Sequence, residues 1–81
     1  MTLDDLKLAI LEEIAGIAPD AELAGLDPGA DLREALDLDS MDLLNLVTAL
    51  SRRLDIDIPD ADVGQLVTLD GGARYLHAKL G

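Results

Sequence analysis

Apolar residues recur along this chain at steps of three and four, the spacing of helices with one buried face. The first such run is Leu3, Leu6, Ile10, Ile14 and Ile17, which predicts a helix over 3–17. Thr2 stands ready to cap it. Asp4 and Asp5 fall in its first turn, where unpaired amides and the helix dipole favour negative charge. Pro19 ends it, because the residue before a proline resists helical geometry. The second run opens at Ser40 and closes at Leu54. At about 100° per residue, Leu43, Leu46, Val47, Leu50 and Leu54 fall within an arc of about 100°. Leu44 widens that arc. Met41, Asp42, Asn45, Thr48 and Arg52 lie on the other side.

The pattern is weaker between and after these helices. Residues 18–38 carry Pro19, Gly25, Pro28 and Gly29 and form a long connector. Leu23, Leu26, Leu32, Leu36 and Leu38 would pin it to the core, and Asp31 to Leu36 has the makings of one helical turn. Residues 55–59 read as an extended link, since their alternation has no partner strand. Asp60 is a candidate cap for a short helix to about Leu66. Thr68 is a candidate cap for a last helix to about Lys79, with Leu69, Ala73, Leu76 and Leu80 on its buried side. Gly71 and Gly72 weaken the first turn of that helix, by about 1 kcal/mol each relative to alanine. The prediction is all-α: one domain over residues 1–81, an up-down bundle of three main helices and one short helix with a long first loop.

Composition narrows what such a bundle can do. The chain has 81 residues, no cysteine, no Phe and no Trp, and Tyr75 is its one aromatic. Neither a disulfide nor a cysteine nucleophile is available, so stability rests on aliphatic packing. An apolar fraction of 49% beside 28% charged residues favours a folded domain over a disordered acidic tail. Seventeen acidic against six basic side chains give a net charge of −11. That balance excludes nucleic acid as a direct partner, because phosphate neutralisation needs clustered cations. It attracts basic protein surfaces and speeds encounter with them. No basic leader precedes an apolar stretch and no run reaches membrane-spanning length, so a cytoplasmic protein without membrane insertion is expected, and it is taken as a monomer.

The candidate chemistry sits where the long connector meets the second helix, at Asp39-Ser40-Met41-Asp42. Asp39 is a good N-cap, and Asp42 three positions on completes a box-like arrangement. Ser40 is then the first helical residue, beside backbone amides that have no intrahelical partner. Those amides and the dipole stabilise an anion, so the position suits a serine that another enzyme esterifies with phosphate. Taken alone, D-S-x-D is more often plain capping; its place after a long leucine-pinned loop, at the start of the strongest amphipathic helix, is what favours a modified serine.

With this motif in place, the chain resembles the acyl carrier proteins. The matching residues are Leu38-Asp39-Ser40-Met41-Asp42, the Leu/Val core through Leu54, then Asp57-Ile58-Pro59-Asp60 and Thr68 through Tyr75-Leu76. The resemblance implies an acyl-carrier-like four-helix bundle. It implies a 4′-phosphopantetheine arm on Ser40, installed from coenzyme A by a magnesium-dependent phosphopantetheinyl transferase. It further implies acyl groups held as thioesters on that arm for fatty acid or specialised acyl or polyketide synthesis, with no catalysis by the carrier itself. The implied partners are the transferase and acyl-transferring or acyl-modifying enzymes with basic docking surfaces. Asp39, Met41 and Asp42 would serve recognition, and Met41 offers a flexible side chain to varied partners.

The second helix departs from the family's strongly acidic pattern. Asn45 stands where a glutamate is common, and Ser51, Arg52 and Arg53 replace a run of acids. Asn45, Arg52 and Arg53 are therefore read as recognition residues of a dipolar docking helix, with solvated surface arginines as the bland alternative. Gly72-Ala73 stands where the family often has bulkier apolar residues and predicts a looser core, read as less stable, with room for a longer or branched acyl chain as the alternative.

Other readings stay open on the residues alone. An aminoacyl or peptidyl carrier uses the same chemistry, and an unmodified acidic interaction module would share the fold. A Ser40–His77 catalytic pair lacks an oriented base and a G-x-S-x-G turn. The Asp37/Asp39/Asp42 and Asp55/Asp57/Asp60/Asp62 groups lack calcium-loop spacing, so no metal site is assigned.

Overall fold

A computed structural model describes residues 1–80. Its elements are α1 (Leu3–Ile17), α2 (Leu32–Ala35), α3 (Ser40–Leu54), a 3₁₀ helix (Asp60–Leu66) and α4 (Leu69–Leu80). The described residues contain no strand, so the protein is all-helical as the periodicity requires. The bounds of α1 and α3 coincide with those expected from the sequence. Thr2 caps α1 through a reciprocal box with Asp5, at 3.1 Å in each direction. Ala18, forced out of helical geometry before Pro19, ends it.

α1 packs against both α3 and α4, and the 3₁₀ helix packs on α3 and α4. The shared core is aliphatic: Leu6, Ile10 and Ile14 from α1, Leu43, Leu46, Val47 and Leu50 from α3, Leu66, and Leu69, Ala73 and Leu76 from α4. Leu32 and Leu38 bury themselves in it from the long connector, while Leu23, Leu26 and Leu36 pack half-buried on its edge. Two backbone bonds complete the attachment. The Leu32 amide donates to the Val67 carbonyl at 2.7 Å, and the Asp70 amide donates to the Pro28 carbonyl at 3.0 Å. A loop held this way has its polar backbone satisfied and can lie against the core.

Several expectations need correction. Leu3 and Leu80 are exposed because each sits at a helix end, beyond the reach of the neighbouring helices. Leu44 is 41% exposed and does not widen the buried arc of α3. Asp60 is the first residue of the 3₁₀ helix rather than its cap; Pro59 holds that position and no side chain caps it.

Gly72 and Ala73, where the sequence predicts a looser core, are both buried, and no pocket opens there among the described residues. A Cβ on Gly72 would stand 3.3 Å from Ile10 Cδ1, so the end of the Ile10 side chain would have to give by a few tenths of an ångström to admit it. A Cβ on Gly71 would stand 2.7 Å from Thr68 Oγ1 and 3.2 Å from the Gln65 carbonyl oxygen. The hydroxyl of Thr68 occupies that space and accepts from the Gly71 amide at 2.9 Å, capping α4 as the sequence suggests. Both glycines serve close packing.

Candidate functional site

The approach to α3 is a tight turn. Asp37 adopts the left-handed conformation (φ 55°), which its short polar side chain tolerates better than most. The Leu38 amide then donates to the Arg33 carbonyl at 3.0 Å, and the Leu38 side chain drops into the core. This anchors the chain one step before the cap. Asp39 follows in extended conformation and closes a capping box: its carboxylate accepts from the Asp42 amide at 2.8 Å, and the Asp42 carboxylate accepts from the Asp39 amide at 3.3 Å. The Leu43 amide bonds to the Asp39 carbonyl at 3.1 Å.

That arrangement leaves Ser40 and Met41 at the first two helical positions, where amides have no intrahelical acceptor. Ser40 is exposed, and its hydroxyl makes no hydrogen bond among the described residues. The flanking carboxylates are engaged in the cap. Ser40 thus combines an open hydroxyl, two unpaired amides and the positive end of a 15-residue helix. A phosphodiester esterified to Ser40 fits this cradle, because its charge would meet the amides and the dipole. His77, the one histidine, lies on α4 and is exposed, and no hydrogen bond joins it to Ser40 among the described residues.

The remaining candidates divide by face. Met41, Leu44, Asn45, Thr48 and Arg52 are all exposed and share one arc of about 100° on the outside of α3. Met41 is 61% exposed. Leu44 belongs to this outer group although the sequence reading set it with the core. The signal was available, since it lies about 110° from the centre of the buried arc.

The two arginines, adjacent in sequence, separate in space. Arg53 turns to α1, donating to Glu12 at 2.8 Å and Glu13 at 3.1 Å, and these two bonds raise its already high pKa. It clamps α3 to α1. Arg52 stays on the outer arc with no ion pair among the described residues. Ser51, read from sequence as a replaced acid, instead donates to the Ile56 carbonyl and helps Asp55 (φ 55°) end the helix.

A second cluster holds the far elements. The Tyr75 hydroxyl donates to Asp62 at 2.6 Å, tying α4 to the 3₁₀ helix. Lys79 lies 5.7 Å from the centre of the Tyr75 ring. Lys7 on α1 pairs with Asp70 on α4 at 2.9 Å. No described group of acidic residues and histidine is arranged to hold a metal ion, and no described helix is long and apolar enough to cross a membrane.

Comparison with known proteins bears on this geometry. Residues 8–76 match the family model of the phosphopantetheine attachment site. An acyl carrier protein of Campylobacter lari is 30% identical over 74 residues, spanning 91% of this chain and 90% of its own. The solution structure of a putative acyl carrier protein from Anaplasma phagocytophilum superposes with a TM-score of 0.84 at 26% identity, covering 100% of this chain and 94% of the other. The structure of 3-oxo-butyl-ACP, an intermediate mimic from the actinorhodin polyketide synthase of Streptomyces coelicolor, gives 0.70 at 28% identity, covering 99% and 91%.

Proposed function

This chain belongs to the phosphopantetheine-attachment family as an acyl carrier protein, and on that premise we propose that Ser40 receives the arm and that the cargo is a growing chain of fatty acid or polyketide type. Family membership makes the protein a carrier rather than a catalyst and gives it covalent 4′-phosphopantetheine. Its partners in general are a phosphopantetheinyl transferase and enzymes that handle acyl groups. The arm supplies a terminal thiol on which acyl groups ride as thioesters, so the absence of cysteine from the chain is no obstacle to this role.

One observation carries the assignment of Ser40. It is the exposed first residue of α3, with an unengaged hydroxyl beside two amides that lack acceptors. A negatively charged ester at that point gains from the helix terminus and disturbs no buried group. Asp39 and Asp42 fix the helix start and so fix where the hydroxyl points. Asp39, Met41 and Asp42 border the serine and form the surface that the transferase must touch. The acyl type of cargo is supported by the names of the relatives, and the polyketide option by the 3-oxo-butyl group of the Streptomyces neighbour.

The test is intact-mass analysis after incubation with coenzyme A and a promiscuous phosphopantetheinyl transferase. The wild-type chain should gain one phosphopantetheine, and Ser40→Ala should gain none while keeping its helical circular dichroism. A Ser40→Ala variant that is still loaded would overturn the assignment.

A further inference from the structure

The outer face of α3 carries an unusual charge distribution for so acidic a chain. Its exposed residues, from Met41 to Arg52, include no carboxylate: they are Met41, Leu44, Asn45, Thr48 and Arg52. The acids lie at the helix start, where Asp37 and Asp39 are exposed. The one cation lies about 18 Å along the axis from Ser40, twelve residues on. Arg52 is also left over by the fold. Lys7, Arg33 and Arg53 are paired with acids and Lys79 lies over Tyr75, whereas Arg52, like Arg74 on α4, makes no such contact among the described residues, and Arg52 is the one of the two that lies on the face of Ser40's helix. Arg53, one residue on, is turned away by about 100° and clamped to Glu12 and Glu13. The face is therefore dipolar: anionic beside Ser40, apolar at Met41 and Leu44, and cationic at Arg52.

The enzyme that attaches the arm is the partner most constrained by this face. Enzymes that act later reach their substrate through a long flexible arm, but the transferase must bring its chemistry to the Ser40 hydroxyl itself. A specific interface of ordinary size covers about 800 Å² per partner, a patch about 30 Å across. Such a patch laid over Met41 and Leu44 includes both Ser40 and Arg52. Burying Arg52 at its edge against a basic surface would be repulsive, and against a carboxylate it would be attractive.

Resting on the assignment of Ser40 above, we propose that the transferase that loads this carrier docks along the whole outer face of α3 and meets Arg52 with a carboxylate, which makes Arg52 a determinant of transferase choice. Cations of the transferase face Asp37 and Asp39 at the other end. The two ends together fix the direction in which α3 lies on the enzyme, because reversing it would oppose like charges at both.

The experiment measures kcat and KM of loading by the transferase of the same organism, with coenzyme A saturating and the carrier varied, over a series of salt concentrations. Arg52→Glu should raise KM for the carrier by about five- to tenfold at low salt with kcat nearly unchanged, and the difference should shrink as salt rises. Arg53→Glu carries the same change in net charge but breaks a contact with α1, so it should lower thermal stability and leave KM within about twofold. An unchanged KM in Arg52→Glu, a lowered one, or an equal rise in Arg53→Glu each overturns the inference. The first makes Arg52 plain solvated surface, the second makes the facing surface basic, and the third reduces the effect to net charge. Failure of the wild-type chain to accept the arm at all is a separate result, which removes the carrier assignment and this inference together.

Discussion

The start of α3 and the corner between the 3₁₀ helix and α4 are held by different kinds of bond. Around Ser40, every hydrogen bond is local: Leu38 to Arg33, the Asp39–Asp42 box, and Leu43 to Asp39. Only the side chains of Leu38 and Leu43 tie the segment to distant parts of the chain. At the corner, bonds join residues far apart in sequence: Leu32 to Val67, Asp70 to Pro28, Lys7 to Asp70 and Tyr75 to Asp62. The difference separates two tasks. The corner organises the fold through long-range contacts, and the serine is presented by a self-contained cap that leaves its outer side open. Changes at one region should therefore be read out separately from changes at the other.

The sharpest test of that separation at the corner is Gly71→Ala. A Cβ there meets Thr68 Oγ1 at 2.7 Å and the Gln65 backbone at 3.2 Å, so the cap of α4 must break. Urea unfolding should show a loss of about 1–2 kcal/mol, while the loading rate measured at a temperature where the variant stays folded should match wild type. A loading rate that falls in step with stability would mean that the two regions are coupled.

A smaller effect is expected from the opposite side. Asp39→Ala removes the cap of α3 and should cost about 1 kcal/mol in the same unfolding measurement. Here loading should slow as well, because the frayed first turn no longer holds Ser40 in one position. Thr2→Ala deletes the equivalent cap of α1 for a similar loss and should leave loading untouched.

The smallest effect concerns pH. Burial, and then the Asp62 carboxylate, push the Tyr75 hydroxyl from 10.0 up to about 12. Between those values the folded chain keeps a proton that the unfolded chain has released, so stability falls as pH rises through that window and is fully present below pH 10. In Tyr75→Phe, stability measured by urea unfolding at stepped pH should be lower at neutrality and decline less steeply from pH 10 to 12. A decline as steep as that of wild type would show that another group governs alkaline unfolding.

Much of this architecture was readable from residue order, because local rules decide it. The 3.6-residue period fixed the extents of α1 and α3, and cap chemistry placed Ser40 at the first position of α3. What could not be read depends on tertiary neighbours. Gly72 looks like a weak point in a helix until Ile10 is seen against it. Arg52 and Arg53 form one basic pair on paper, and only the position of Glu12 and Glu13 on α1 divides them. The attachment of the long loop through Leu32 and Pro28 joins backbone groups, which carry no sequence signature at all. Leu44 is a different kind of miss, since its angle on the helix already placed it outside.

Tyr75 is the only aromatic residue in the chain. Absorbance near 280 nm and intrinsic fluorescence therefore originate from a single ring, seated where α4 meets the 3₁₀ helix and bonded to Asp62. Near-ultraviolet absorbance and emission from the unlabelled protein report on that junction alone, so opening of the corner can be timed separately from loss of helix followed in the far ultraviolet.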